Sequence, residues 1–470
     1  MASRLGFRTL ALGALATSAL LAAASGESYA DPPAPAPRET VVQPAIGVIY
    51  DLPRILDLAD RNHPNISAAR ARLLQARAQL DEAHFAPFSQ FRLQGGVAIT
   101  PVLKGNNVFS PNTDVSLTSS LGVAWQVGIQ GVIPLWTFGK ITNLWDAASS
   151  YVRVQEADVQ RERDAVRGDV RKAFFGLRLA RESLLLLKDV RSAINGAQSS
   201  LEKQIAKDEG DPIDLLKLQT YASELDVKEA EAGRYVNVAL SGLRFYSGVP
   251  GLDIPDEPLR GPKHELGHLT RYLSAATLYR PEVAMARAGI AARTAQVNLA
   301  RAQLFPDIGI GLSASMSAAP AIADQINPYV VDPANFFHYG AALVFQWKLD
   351  FPSQAARIRY AEAQLDEVRA MQRFALGGVA TEVEIAYAEV LDWKRRLESY
   401  SKAVQTAKRW LVTVQQGIQV GTTAEKELLE PAKAYATNRF NQMNAIMELD
   451  LAMSRLAKAS GWDSIAPDGS

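Results

Sequence analysis

Cysteine is absent from all 470 residues. Disulfides, thiolate zinc sites and cysteine nucleophiles are therefore excluded, and no cysteine near the N-terminus can carry a lipid. Net charge is absent too, since 50 Lys and Arg balance 50 Asp and Glu. Nucleic acid thus has no electrostatic claim as a partner. No glycine-rich phosphate loop or nucleophile elbow appears, and the sequence implies no cofactor. Past the N-terminal stretch, no run of about 18 uncharged apolar residues offers a transmembrane helix. Proline is missing from Pro134 to Pro212 and again from Pro352 to Pro431, which leaves room for two very long helices.

What is present begins with MASRLGFRTLALGALATSALLAAASGESYADPPAP. Two arginines, a short apolar core and Ser28-Tyr29-Ala30 before Asp31 read as a secretory signal over 1–30. A membrane anchor would need a longer core and a stop-transfer flank. A Pro-rich leader spans 31–50, and its DPPAPAP stretch is expected to be flexible and outside the fold.

The rest of the chain is said twice. HPNISAARARLLQARAQL from His63 returns as RPEVAMARAGIAARTAQV from Arg280. Trp136 then matches Leu349, Val170 matches Val383, and Gly248 matches Gly461, all at an offset of 213. Such a constant offset marks a duplicated unit. The first pair is 217 apart, so the first copy carries a longer loop in between. We place the first repeat at 51–248, a linker at 249–265, the second repeat at 266–461 and a tail at 462–470.

Within each copy the hydrophobic period changes from 3.6 to 2 and back. Leu121, Val123, Trp125, Val127 and Ile129 alternate with Gly122, Ala124, Gln126, Gly128 and Gln130. Tyr339, Ala341, Leu343 and Phe345 alternate with Gly340, Ala342 and Gln346 in the second copy. Four strands are expected, at about 88–101, 120–135, 306–318 and 338–349. Alternation over about ten residues, with aromatics near the strand ends, fits a transmembrane β-barrel strand. A soluble sheet with one face in a core is the alternative. Val127 and Leu343 would face lipid. Long helical hairpins, at about 138–247 and 352–460, would need continuous coiled-coil partners. Four strands cannot close a barrel, and an open edge cannot face lipid. Copies of the chain must complete it, and geometry alone allows a dimer with eight strands.

In their order, these marks resemble the TolC-like outer-membrane efflux protein family. They are the twofold Ala-rich helix, PLWTFGK, VRKAFFGL with VEIAYAEVL, and the tips GDPIDLLKLQ and GTTAEKELLEPAKA. The resemblance covers about Asp51 to Trp462. It implies an α+β membrane protein with a long α-helical coiled-coil barrel. It also implies a homotrimer in which four strands per chain build a 12-stranded transmembrane β-barrel. The protein would be an exit duct in the outer membrane, with its tunnel in the periplasm. It would serve a tripartite efflux or type I secretion system through a periplasmic adaptor and an inner-membrane pump.

Two local motifs compete for a site. HELGH, with His264, Glu265 and His268, has zinc-protease spacing. Gly261 and Pro262 precede it, and His268 aligns with Asp51 at a helix start, so a metal role is rejected and capping expected. At the helical tips, Asp214 aligns with Glu427, and Glu430 lies one turn on. Simple helix-start capping would explain them. In the family, acids here line the periplasmic constriction. Gly210, Asp211, Gly421, Thr422 and Thr423 form the turns that would meet the adaptor. Some relatives carry a latching arginine two residues after the turn glycine; here Thr423 stands there, so a latch would use Lys207, Lys217 or Lys426. The rival readings of the whole are a soluble periplasmic scaffold and a zinc hydrolase.

Overall fold

A computed structural model describes residues 48–464, apart from 89, 105–113, 209, 263 and 326–328. The signal segment and most of the leader lie outside the described residues.

Two short helices open the first copy, α1 (Leu52–Asn62) and α2 (Pro64–Phe85). Their counterparts are α5 (Leu269–Tyr279) and α6 (Pro281–Ala302). A proline at the first position of α2 and of α6 starts each helix where its missing N–H costs nothing. The proline-free stretches become α3 (Lys140–Ile205) and α7 (Phe351–Gln419), of 66 and 69 residues. At about 1.5 Å per residue each spans about 100 Å. They return as α4 (Pro212–Ser247) and α8 (Leu429–Ser460). Gly248 and Gly461, at φ +70° and +75°, end α4 and α8 in the left-handed conformation that glycine adopts most easily. Among the described residues no helix is long and apolar enough to cross a membrane.

Four strands form one antiparallel sheet in the order β2-β3-β5-β6. They are β2 (Arg92–Lys104), β3 (Asp114–Trp136), β5 (Asp307–Ala318) and β6 (Phe336–Gln346). β2 starts later and ends later than the alternation suggested. A register shift at Pro101/Val102 lets pairing with β3 continue past the proline, as a bulge does. β6 stops at Gln346, before Trp347 and Leu349. The join between the copies is β3 with β5, through pairs such as Val127↔Met316 and Ile133↔Ile310. β2 and β6 are the outer strands.

Three of the connecting segments carry structure of their own. Val48–Ile49, at the end of the leader, is a strand (β1) parallel to β4 (Leu252–Asp253) inside the linker. The linker is also part of the core, since Leu252 and Ile254 pack with Ile55, Val170, Phe174 and Leu243. Trp462–Ser464 forms a 3-10 turn rather than free tail. A buried ionic node explains it. Arg171 Nη1 and Nη2 donate to the two Asp463 carboxylate oxygens at 2.7 and 2.6 Å. Arg167 donates to Asp463 O at 2.9 Å and to Asp60 Oδ2 at 2.5 Å. This node ties α1, α3 and the chain's end together.

Candidate functional site

The sheet has two unlike faces. Leu93, Val97, Ile99, Val123, Val127 and Leu343 are exposed, and the register sets them on one face. Gln94, Gln126, Gln130, Ser313 and Ser315 line a concavity on the other. An exposed face of large apolar side chains is rare on a protein surrounded by water. Aromatics frame the apolar band. Trp136, Phe305 and Phe351 are exposed where the strands meet the helices, and Phe337 and Tyr339 towards the far end. Val127 and Leu343 therefore share the apolar face, and Gln126 lies on the polar one.

The helical tips lie at the other end of the hairpins. At the first tip, Asp208 has φ +60° and Gly210 passes so close to α3 that a Cβ would lie 2.9 Å from Ile205 N. Asp211 caps α4, its Oδ1 accepting from Ile213 N–H at 2.9 Å. At the second tip, Gly421 takes φ +75°. The Thr422 and Thr423 N–H groups both donate to Gly417 O, at 2.9 and 3.2 Å. A 3-10 turn, Glu425–Leu428, then leads into α8. Leu428 of this turn and Leu429, the first residue of α8, pack with Leu218, Tyr221 and Leu201 of the first hairpin. The two tips thus share one apolar core.

The structure separates the three acids. Asp214 is buried at 6 % exposure. Lys217 Nζ donates to its Oδ1 at 3.0 Å, and Lys426 Nζ lies 3.6 Å from its Oδ2. The Lys217 hydrogen bond, with both ammonium charges, holds the Asp214 carboxyl below the usual range. Glu427 and Glu430 are exposed. Glu430 still acts on the first hairpin: burial raises the Tyr221 hydroxyl, and the charges of Glu224 and Glu430 raise it further. Lys433 lies 4.6 Å over the Tyr221 ring. Of the turn residues, Asp211, Gly421 and Thr422 are exposed, while Gly210 and Thr423 are half-buried. Lys426 at Asp214 joins residues that the duplication does not pair, so alignment of the copies gave no signal for that bond.

HELGH lies in irregular chain before α5. His268 does hold the N-cap position, but its side chain makes no capping bond. His63 caps α2 instead, its Nδ1 accepting from Asn65 N–H at 3.2 Å. Among the described residues no cluster of three or more His, Cys, Asp or Glu is placed to hold a metal.

The sequence profile of the outer membrane efflux protein family matches residues 55–247 and 272–462, one match per copy. The chain belongs to that family. The probable outer membrane lipoprotein SilC of Salmonella typhimurium is 22 % identical over 83 % of either chain. The toluene efflux pump outer membrane protein TtgI of Pseudomonas putida is 24 % identical over 87 % of this chain and 85 % of its own. The solved CusC channel superposes with a TM-score of 0.72 at 16 % identity, over 93 % of this chain and 99 % of that one. Curated CusC of Escherichia coli is named a cation efflux system protein. The α+β fold is that of the TolC-like outer-membrane channels, and the protein is an outer-membrane efflux channel. Members of the family are channels rather than enzymes, and work with a periplasmic adaptor and an inner-membrane pump.

Proposed function

We propose that three copies of this chain close a passive duct through the outer membrane, with a 12-stranded barrel in lipid and a helical tunnel in the periplasm. An adaptor would dock on the tip turns at Gly210, Asp211, Gly421, Thr422 and Thr423, and an inner-membrane pump would supply the work. The carrying observation is the sheet itself, apolar on one face, Gln- and Ser-lined on the other, and open at β2 and β6. Backbone groups on an open edge cannot stay unpaired in hydrocarbon. The β3–β5 join inside the chain offers the pattern for β6 to meet β2 of the next copy. The helices support the same repetition. α3 packs on α1, α2, α4, α6 and α8, whereas α7 packs on α5, α6 and α8. The flank of α7 that matches Arg171 and Arg178 of α3 carries Glu384 and Leu391, both exposed, where α4 of a neighbour fits by register.

At the closed tip, Asp214 is a tie rather than a pore charge. Lys426 reaches it across the two hairpins, and Glu427 and Glu430 supply the constriction's negative charge. Threefold repetition would gather those acids, attract cations and allow block by divalent ions. TtgI and CusC carry different cargo in their names, so cargo is left to the pump.

The purified protein should run as a trimer in detergent and conduct in planar bilayers. A stable monomer would end this reading. Wild-type current should be blocked by divalent ions from the periplasmic side, and Glu427→Gln/Glu430→Gln should lose both block and cation preference. Wild-type behaviour in the double variant would leave those acids as ordinary helix-start residues.

A further inference from the structure

β5 leaves the ladder after Ala318, at the end of the sheet away from the helices. The chain then turns tightly over Ala319–Ile322, with Ile322 N–H donating to Ala319 O at 2.9 Å. Pro320 takes the second position, where its fixed φ suits a turn. This turn leans over the sheet. A Cβ added at Gly122 of β3 would lie 1.9 Å from the Cβ of Ala321. Glycine is what admits the close approach. Gly122 points to the same face as Gln126 and pairs with Thr100, whose Oγ1 is shut off from solvent without a partner.

Side chains staple the turn in place. Asn335, just before β6, brackets it. Its Oδ1 accepts from Ala319 N–H at 2.6 Å, and its Nδ2 donates to Ile322 O at 3.2 Å and Asp324 Oδ1 at 2.8 Å. The Asp332 carboxylate accepts from the N–H groups of Gln325, Ala334 and Asn335 at 2.8, 2.8 and 2.9 Å. Burial pushes this carboxyl up, but the three N–H bonds prevail and hold it below its ordinary value. Loop tips without such bonds are usually mobile. Here the backbone is tied at both ends of the turn.

We propose that the Ala319–Ile322 turn is a fixed sill across the outer mouth of the duct and sets the size of what leaves. It selects by bulk rather than by charge, since Ala319, Pro320, Ala321 and Ile322 carry none. The inference rests on the Gln126 face lining the lumen. In a trimer the sill occurs three times around one axis.

The test uses full-length protein in planar bilayers, with polyethylene glycols of graded size added at the outer mouth. Asn335→Ala cuts the staple, and Gly122→Val fills the seat. Asn335→Ala should raise single-channel conductance and shift the polymer cut-off to larger sizes, whereas Gly122→Val should push the turn off the wall toward the axis, lower conductance and shift the cut-off to smaller sizes. Gly96→Val is the control, because a Cβ there meets nothing within 4 Å on the same face. It should lower conductance and leave the cut-off unmoved. The lumen assignment is checked separately with Gln126→Cys and Val127→Cys, using a charged thiol reagent in a chain with no other cysteine. Current should fall only for Gln126→Cys. If Val127→Cys responds instead, the face assignment fails and takes the sill with it. If Gln126→Cys responds but Asn335→Ala keeps the wild-type conductance and cut-off, the sill alone is overturned. Should Gly122→Val not assemble, Asn335→Ala decides.

Discussion

α3 and α7 are copies in the same register, yet one is enclosed and the other half bare. In α3, Arg171 is buried and gripped by Asp463. The matching residue of α7 is Glu384, which is exposed. Asp164, buried in α3, corresponds to exposed Gly377. Each helix packs against the short and long helices of its own copy. α3 is also covered by those of the second copy, whereas among the described residues α7 packs only against helices of its own copy. Burial along these helices is set by which copy comes next, not by the helix's own pattern.

The comparison is broken most sharply at the node. Arg171→Ala leaves Asp463 buried without its partner, so unfolding should become easier by about 3–5 kcal/mol. Glu384→Ala should cost below about 1 kcal/mol, because an exposed charged side chain contributes little. Denaturant unfolding of both variants in detergent reads the difference. Equal costs would mean that Arg171 is no more structural than its exposed twin.

This node also marks the limit of what could be read from the residues. The duplication, the four strands and the long helices were legible because each rests on periodicity or on spacing within one copy. Arg171 was not, since its partner lies 292 residues away and charge in a helix pattern reads as solvated surface. Likewise Val48–Ile49 looked like leader, because a two-residue strand has no period of its own. At the tips, alignment of the copies paired Asp214 with Glu427. The fold instead brings Lys426 to Asp214, a contact between hairpins that alignment of copies cannot show.

The two faces of the sheet sharpen the comparison next. Val127→Arg or Leu343→Arg should cost roughly 2–4 kcal/mol if the site lies near the bilayer midplane, whereas Gln126→Arg should be tolerated in a wet lumen. Folding into lipid vesicles across a urea series would measure this. Equal damage at Val127 and Gln126 would reverse or abolish the face assignment.

A smaller effect separates the enclosed flank by pH. Burial raises Asp450 on α8 from 3.8 to about 7, against the pull of Arg178. Burial, then the charge of Asp463, raises Asp164 to about 6. In the unfolded chain both titrate near 3.8. Between those values the folded state binds more protons than the unfolded one, so their contribution is full below 3.8 and is lost as pH rises through 6 to 7. Asp450→Asn should remove its part of that slope and stabilise the protein at neutral pH by about 2 kcal/mol, allowing for partial exposure. An unchanged difference between variant and wild type from pH 4 to 8 would show that Asp450 is ordinarily ionised.

The smallest effect is the one that asks whether the bare flank of α7 repeats the covered flank of α3. Inside the chain, Glu182 of α3 accepts from Arg439 of α8 at 2.8 Å. The same register positions are Arg395 in α7 and Asp226 in α4, with the charges exchanged. Arg395 is exposed, and Asp226 is held by Arg191, whose hydrogen bond keeps its carboxyl below the usual range. If copies join as the halves do, Arg395 of one chain meets Asp226 of the next, sharing it with Arg191. Reversing both charges would set a new cation against Arg191, so alanine is the cleaner probe. Arg395→Ala and Asp226→Ala should each loosen the trimer by about 0.2–1 kcal/mol, more at low salt than at high. The double variant should lose less than the sum, because residues in contact are not additive. Dissociation of the trimer in detergent, followed across a dilution series at two salt concentrations, gives all four corners of the cycle. Strictly additive losses would place Arg395 and Asp226 apart, and the join between chains would then differ from the join within one.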